Sequence, residues 1–381
     1  MIYLDNSATT LKKPASVIDA VTKALTQLGN SGRGVHEDSL KSSEVIFQAR
    51  HALCQLFNGQ QARQIVFTSG ATESLNLAIE GLHTGKDHVI TTALEHNSVL
   101  RPLYRLQEEK GLELTTIPAD QLGNLDYAAF EEAVQENTKS IIVTHASNVT
   151  GNIVNLEVLG AICKKYGLYL IVDASQSAGL LPIDVQALNI DVLCFTGHKS
   201  LYGPQGTGGL YVRPGVNLRP LKVGGSGIDT FNRKHPTMFP TALEAGTLNG
   251  HGIAGLAAGV DYLLAETLEK IGKQTNDLMQ HFYNEVTKID NVIVYGDFAA
   301  KFRCPIVSIN IGDRDSAEIS DLLAYEYGIA TRSGGHCAPL MHQALKTTDQ
   351  GVVRFSFSSF TTDDEIMEAI YALKKLVKRG K

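Results

Sequence analysis

The chain has 381 residues, of which 34 are basic and 40 acidic, for a formal net charge of −6. This length allows two domains with a sizeable core, and the balanced charge favours neither nucleic acid nor an anionic membrane as a partner. No apolar run reaches membrane-spanning length, and the chain opens without the basic lead of a signal peptide. The five cysteines form no C-x-x-C pair and no even framework, which is typical of a reducing compartment. We therefore expect a soluble, cytoplasmic protein.

The amino-terminal part of the chain is predicted to be helical after a short strand and a polar turn. The helix runs from about Pro14 to near Gly29. Residues 30–37 then form a flexible loop that carries Arg33 and His36, and loops of this kind often carry function.

Short apolar runs alternate with helical periods through the middle of the chain. Such alternation is typical of an α/β layer fold built around a mostly parallel sheet. The strand candidates are residues 65–68, 87–92, 140–144, 168–172, 191–195 and 209–213.

The pattern changes near Gly259. Longer charged helices are predicted over 260–288, followed by strands at 305–311 and 352–358. We therefore expect two domains. A large α/β domain would comprise residues 16–258, and a smaller α+β domain would comprise residues 1–15 together with 259–381.

A lysine follows one of the apolar runs. Lys199 comes just after residues 192–195 and before a turn rich in glycine and proline. Burying an ammonium is costly unless the group is paired or used covalently, and burial favours the neutral amine, which forms Schiff bases. The alternative is a lysine that extends from a surface turn into water, and an isolated lysine would favour that interpretation.

Two further segments offer complementary groups. At Ser69–Thr72 a strand turns into a helix, whose free N–H groups and positive dipole end suit an anion, although Ser69 or Thr72 could simply cap the helix. Asp173 ends an apolar strand, where its carboxylate could hold a pyridine nitrogen protonated or cap the next helix. A lysine, an anion site and a carboxylate together are what pyridoxal phosphate requires.

Other polar residues also follow strands. His96 and Asn148 would face the same edge of the sheet, where an imidazole could stack on a ring and an amide could donate a hydrogen bond. In the strand around Arg354 the guanidinium points away from the apolar face, and its geometry suits a substrate carboxylate. A lone histidine is more often structural, however, and Arg354 could be a simple residue of the polar face.

The last segment of interest is a glycine-rich loop with Cys337 at its tip. His336 and Arg332 flank the cysteine, a setting that would favour the thiolate. Most free cysteines, however, are buried and inert. The spacing of Cys337, His336 and His342 matches no standard zinc pattern, so we predict no metal site.

Together these segments resemble the cysteine desulfurases, which belong to the class V aminotransferase group of fold-type I pyridoxal phosphate enzymes. The likeness extends over essentially the whole chain in matching order. The Cys337 loop is similar to that of the branch that includes the selenocysteine lyases. The motifs that carry the resemblance are Ser69-Gly70-Ala71-Thr72-Glu73, Val172-Asp173-Ala174-Ser175-Gln176, Gly197-His198-Lys199 and Arg332-Ser333-Gly334-Gly335-His336-Cys337-Ala338.

The resemblance implies a role for each matching residue. Lys199 would hold the cofactor and later move the α-proton of the substrate, and Cys337 would attack the substrate's sulfur. Substrate would be oriented by Asn148, Arg332 and Arg354, and Thr247 would reach the phosphate from the neighbouring subunit, which implies a homodimer. His96 would stack on the ring and is also counted as catalytic. The implied cofactor-binding residues are Ala71, Thr72, His96, Asp173, Gln176, Thr196, His198, Lys199 and Thr247.

The function implied is an L-cysteine desulfurase that passes sulfur to an acceptor protein or a small thiol. Two departures from the family pattern, Gly335 and Ser200, leave the acceptor and the substrate open. The alternatives are a selenocysteine lyase acting on L-selenocysteine, an aminotransferase or other β-eliminating lyase, and a cofactor-binding scaffold without activity.

Overall fold

A computed structural model describes residues 1–29, 37–300 and 302–379. Arg33 and His36, assigned above to a flexible loop, lie outside the described residues. The strands are β1 Ile2–Tyr3, β2 Ile65–Thr68, β3 His88–Thr92, β4 Glu113–Ile117, β5 Thr138–Thr144, β6 Tyr169–Asp173, β7 Val192–Thr196, β8 Gly208–Val212, β9 Val292–Tyr295, β10 Ile306–Ile311, β11 Ile329–Ala330 and β12 Val353–Ser356. The α-helices are α1 Ala15–Gln27, α2 Glu37–Leu56, α3 Ala71–Leu82, α4 Asn97–Lys110, α5 Ala128–Glu132, α6 Leu156–Tyr166, α7 Gly250–Glu266, α8 Leu268–Val286, α9 Ser316–Tyr327, α10 Pro339–Leu345 and α11 Asp363–Arg379.

A seven-stranded sheet forms the centre of the fold, in the order β2-β8-β7-β6-β5-β3-β4. The run from β7 to β4 is parallel, and β8 pairs antiparallel with both β2 and β7. Helices cover both faces, so neighbouring residues of one strand enter opposite cores: Ile141 packs on the side of α6 and Ile142 on the side of α3. Burial on both faces explains why these strands read as continuous apolar runs. The predicted α/β fold with a mostly parallel sheet is confirmed.

A second, antiparallel sheet has the order β12-β10-β9. Its apolar face packs against α8, α9 and α11 in a separate core. The amino-terminal strand β1 pairs in parallel with β11, and Asp5 bridges to Ser356, which brings the first five residues close to this region. Thr10 and Lys13 instead bond to carbonyls that follow β7 of the large sheet. The predicted boundary at 258/259 falls inside α7, a helix that packs mainly on α1 and α2. The division into two domains stays a prediction.

Three strands escaped the sequence analysis, and one of them, β11, has only two residues. β4 lies at the edge of the large sheet, and its residues Glu113–Thr116 are exposed or only partly buried. β9 lies at the edge of the small sheet and is likewise only partly buried. The sequence of β4 is largely polar and forms no apolar run, whereas β9, Val292–Tyr295, is a run of four apolar residues that the sequence analysis did not assign.

The parallel strands of the large sheet bring four polar residues to one edge. His96 follows β3, Asn148 follows β5, Asp173 ends β6 and Lys199 lies just beyond β7. Carboxyl ends of adjacent parallel strands meet at one edge of a sheet, where α/β proteins bind their ligands.

Candidate active site

A cavity of about 440 Å³ opens at this edge. Cys337 is not among the residues that line it, but its neighbour His336 is. Thr247 lines a separate, smaller pocket of about 180 Å³. The remaining predicted site residues all line the main cavity: Ala71, Thr72, His96, Asn148, Asp173, Gln176, Thr196, His198, Lys199, Arg332 and Arg354.

Lys199 lies in the cavity wall on a backbone that is tightly held. The Thr10 hydroxyl donates to the Lys199 carbonyl at 2.8 Å, and the Tyr202 N–H donates to it at 3.0 Å. A side chain at Gly197 would come within 2.1 Å of the Thr207 hydroxyl, so the turn requires glycine there. Burial lowers the pKa of Lys199 to about 8, and the positive charge of Arg354 acts in the same direction. About a tenth of the lysine is therefore neutral amine at pH 7, far more than for a lysine in water.

Asp173 presents one occupied and one open carboxylate oxygen. Its Oδ1 accepts the Ser175 N–H at 2.9 Å and also the Ser175 hydroxyl. Among the described residues, Oδ2 has no hydrogen-bond partner. Asp173 therefore caps a turn and not the helix that the alternative interpretation predicted, while its second oxygen is left for a cationic donor.

The start of α3 lines the cavity with backbone that no side chain caps. Its N-cap is Gly70, which has no side chain to cap the helix. The predicted alternative, a cap by Ser69 or Thr72, is wrong: the Ser69 hydroxyl bonds Glu73, and the Thr72 hydroxyl bonds Ser98 at 2.9 Å. The first N–H groups of a helix have no intrahelical partner, so they remain available to a ligand.

Two histidines of the cavity are neutral at neutral pH. Burial, with the charges of Lys199 and Lys13, lowers the pKa of His198 to about 4. Burial also lowers the pKa of His96, whose Nδ1 accepts the Ser98 N–H at 3.0 Å. The His96 ring is fixed as the N-cap of α4 and is available for apolar stacking.

Arg354 reaches the cavity from β12 and is almost completely buried, with 1% exposure. Its Nη1 donates to the Asn148 carbonyl at 3.0 Å, and its Nη2 pairs with Asp5 Oδ1 at 2.9 Å. The sequence analysis missed Asp5 because its partner lies near the other end of the chain. Gln176 is also engaged, since its amide donates to the Ser7 carbonyl at 3.2 Å.

Cys337 is the one exposed cysteine among the described residues, whereas Cys54, Cys163, Cys194 and Cys304 are buried. Its carbonyl accepts the Asn97 N–H at 2.7 Å, and the preceding carbonyl, of His336, accepts the Asn148 amide at 2.7 Å. Both His336 and Cys337 adopt left-handed backbone conformations, with φ of +49° and +56°. Such conformations persist only where surrounding contacts impose them. The backbone that carries the thiol is thus held by the start of α4 and by the segment that follows β5.

His336 does not favour the thiolate of Cys337, although the sequence analysis predicted that it would. It is buried, and its Nε2 lies 3.1 Å from the Arg332 carbonyl. Burial and the charge of Arg354 hold the pKa of His336 well below its ordinary value. The ring is therefore neutral at neutral pH and supplies no positive charge to Cys337. Within the described ranges, no cluster of three or more histidine, cysteine or acidic residues is placed to hold a metal ion.

The chain is similar over nearly its whole length to one family and to several proteins. The sequence model described as Aminotransferase class-V matches residues 2–368. A probable cysteine desulfurase of Methanothermobacter thermautotrophicus is 34% identical, with 100% of this chain and 95% of the relative covered. One from Pyrococcus abyssi is 35% identical, with 99% and 94% covered.

Solved structures point to the same family. The apo structure of a cysteine desulfurase from Thermococcus onnurineus superimposes with a TM-score of 0.93 at 34% identity, covering 99% of this chain and 95% of the other. The Escherichia coli cysteine desulfurase CsdA, solved with an S-sulfonic acid, gives a TM-score of 0.89 at 26% identity, covering 99% and 95%. The chain belongs to the class V aminotransferase family and, within it, to the pyridoxal phosphate-dependent cysteine desulfurases.

Proposed function

We propose that this protein removes sulfur from L-cysteine, releases alanine and carries the sulfur as a persulfide on Cys337. The observation that carries the proposal is a single cavity that brings together Lys199, Asp173 and the uncapped start of α3, with an exposed cysteine beside its wall.

The donor set of the cavity fits pyridoxal phosphate. The cofactor has an aldehyde, a pyridine nitrogen and a phosphate, and each finds a complementary group. Lys199 offers a partly neutral amine, the open oxygen of Asp173 accepts from a pyridinium, and the free N–H groups of α3 with Thr72 suit a dianion. Ala71, Thr196 and His198 would complete the phosphate site, Gln176 would face the ring oxygen and His96 would cover the ring. When bound, the cofactor withdraws electrons from the α-carbon of the amino acid.

The protein's own residues then perform three tasks. The amine of Lys199 takes up the α-proton and returns it, a role that suits a base with a pKa near 8. Arg354, Arg332 and Asn148 orient the amino acid through its carboxylate and amine. The carboxylate of Asp173 stabilises the positive charge of the protonated pyridine ring.

Cys337 completes the reaction as a nucleophile. Its thiolate attacks the substrate's sulfur, so that an Sγ–S bond forms while the substrate's C–S bond breaks. The electron pair of the broken bond stays with the β-carbon, which gains a proton to give alanine. Atoms and electrons balance without an external oxidant, and the exposure of Cys337 lets a thiol acceptor remove the sulfur afterwards.

The proposal extends to a homodimer with a composite phosphate site. Thr247 lies in a pocket next to the main cavity rather than in it, which suits a residue that serves the partner's site. Val223, Phe231 and Met238, in the irregular segment before it, are exposed. Sedimentation should show a dimer, and a fully active monomer at nanomolar concentration would refute this part.

We place the protein in the cytoplasm because four of its five cysteines are buried free thiols and the fifth must stay reduced to react. No helix of the described part of the chain is long and apolar enough to cross a membrane.

The central test follows products from L-cysteine and L-selenocysteine in parallel, with and without a reductant. We expect alanine from both, with a reductant needed for repeated turnover of cysteine. Borohydride should fix the cofactor on the peptide that contains Lys199. Release of pyruvate and ammonia in place of alanine would identify a β-eliminating lyase, and a coloured protein without turnover would identify a scaffold.

A further inference from the structure

The substrate arginine is already half of an ion pair. Arg354 is 1% exposed, and its charge is balanced by Asp5, whose Oδ1 lies 2.9 Å from Nη2. Asp5 is itself held in place, because the Ser356 N–H donates to the Leu4 carbonyl at 2.7 Å and residue 5 bridges to Ser356. The pair therefore joins the amino-terminal strand to β12.

The remaining donors of Arg354 are only partly used. Nη1 donates to the Asn148 carbonyl, and the buried Nε has no hydrogen-bond partner among the described residues. The guanidinium thus keeps free N–H groups for a carboxylate while part of its charge is already compensated.

Arg332 provides the contrast within the same cavity. It lines the wall as Arg354 does, but in the described ranges it has no ion-pair partner. Lys199 adds a third positive group whenever it is protonated. Without Asp5, the wall around Arg354 would carry an uncompensated buried charge that attracts any small anion.

We propose that Asp5 is a specificity-determining residue that fixes Arg354 and weakens its attraction for simple carboxylates. This inference rests on the proposed function, in which Arg354 receives the carboxylate of an amino acid. An acid that offers only a carboxylate then binds poorly. An amino acid that is also held through its amine binds well, because it does not depend on Arg354 alone.

The test measures the binding of propionate, a carboxylate without an amine, to the holoenzyme by calorimetry. Asp5→Asn keeps the shape and an acceptor oxygen but removes the charge, so we expect propionate to bind at least tenfold more tightly. Asp5→Glu keeps the charge and should stay within about twofold of the unmodified protein. Asp321→Asn, an equal change of charge on the exposed surface of α9, should also leave the affinity unchanged.

The Asp5→Asn substitution made in an Arg354→Gln variant tests whether the change in propionate affinity depends on that arginine. There the Asp5→Asn substitution should no longer tighten propionate binding. Unchanged or weaker binding by Asp5→Asn alone, or an undiminished gain without Arg354, would overturn the inference. Because propionate binding needs no turnover, a protein that makes no alanine yet shows the predicted gain would refute only the proposed function.

Discussion

Lys199 and Cys337 serve the same proposed reaction from opposite environments. Lys199 stands at the end of a parallel sheet whose strands are buried on both faces, and burial is the main cause of its lowered pKa. Cys337 stands on an irregular segment between β11 and α10, with its side chain exposed and its backbone in a left-handed conformation.

The difference in exposure between the two residues follows from the molecules with which each must react. The amine of Lys199 acts only on a ligand inside the cavity, so burial can lower its pKa without blocking the ligand's access to it. In the proposed reaction the thiol of Cys337 must reach a substrate inside the cavity and an acceptor outside it, so the side chain must be exposed. Its position can then be fixed only through the backbone. Hydrogen bonds to the carbonyls of His336 and Cys337 provide that fixation.

The largest effect should come from removing the exposed thiol. Cys337→Ala should retain cofactor and substrate binding but abolish alanine formation from cysteine, because no other group takes the sulfur. Selenium leaves more readily than sulfur, so part of any selenocysteine activity should persist. Alanine formation by the variant is measured with both substrates. Undiminished desulfuration of cysteine would show that the protein is a generic lyase that does not use this thiol.

The other cysteines supply the matched control for that prediction. Mass spectrometry after incubation with L-cysteine should find a persulfide on the Cys337 peptide and none on the peptides of the four buried cysteines. A persulfide on a buried cysteine would contradict the assigned role of exposure.

The next effect tests the buried side of the comparison. Asp173→Asn preserves an oxygen for the Ser175 N–H but cannot oppose a pyridinium charge. We expect normal cofactor content and a loss of activity of about a hundredfold or more, since a buried pair to a charged group is worth about 3 kcal/mol. Ser175→Ala, which leaves the carboxylate in place, is the control and should lose far less. Near-normal turnover by the asparagine variant would leave Asp173 as a turn cap only.

The sequence predicted the buried half of the site better than the exposed half. Strand ends such as Asp173 and Lys199 could be located because parallel strands read as apolar runs and bring their carboxyl ends together. The pairing of Asp5 with Arg354 could not be predicted, because it joins opposite ends of the chain. Likewise no local pattern indicated that Asn97 and Asn148 hold the cysteine segment.

A smaller effect on the rate should follow from the loss of one hydrogen bond to the backbone of Cys337. Asn97 is the first residue of α4, and its N–H donates to the Cys337 carbonyl at 2.7 Å. Proline is tolerated at the first helical position, and the extended conformation of His96 suits a following proline. Asn97→Pro should therefore keep α4 but remove this bond and displace the Cys337 carbonyl, because the proline Cδ takes the place of the N–H. We expect desulfuration to slow at least fivefold, since the lost bond alone is worth about 1 kcal/mol. Asn97→Ala keeps the N–H and should remain near normal, and equal rates for the two variants would show that this hydrogen bond does not position the thiol.

The last prediction concerns stability instead of rate and comes from Glu95, a fully buried neighbour of His96. Its Oε1 accepts the Thr92 hydroxyl at 2.6 Å and the Thr144 N–H at 3.1 Å, while Oε2 has no partner in the part of the chain described. Burial, reinforced by the charge of Asp173, raises the pKa of Glu95 to about 8. The folded protein thus holds a proton that the unfolded chain, with an ordinary carboxyl, releases above about pH 4.3.

Between these pKa values the free energy of unfolding must fall as pH rises, by at most about 1.4 kcal/mol per pH unit. Glu95→Gln has no such proton to lose. Its melting temperature relative to the unmodified protein should therefore increase steadily from pH 5 to pH 8 and level off above it. Glu108→Gln, an exposed substitution on α4, should show no such trend. A constant difference for Glu95→Gln across this range would mean that Glu95 is ionised in the folded protein, with its negative charge next to that of Asp173.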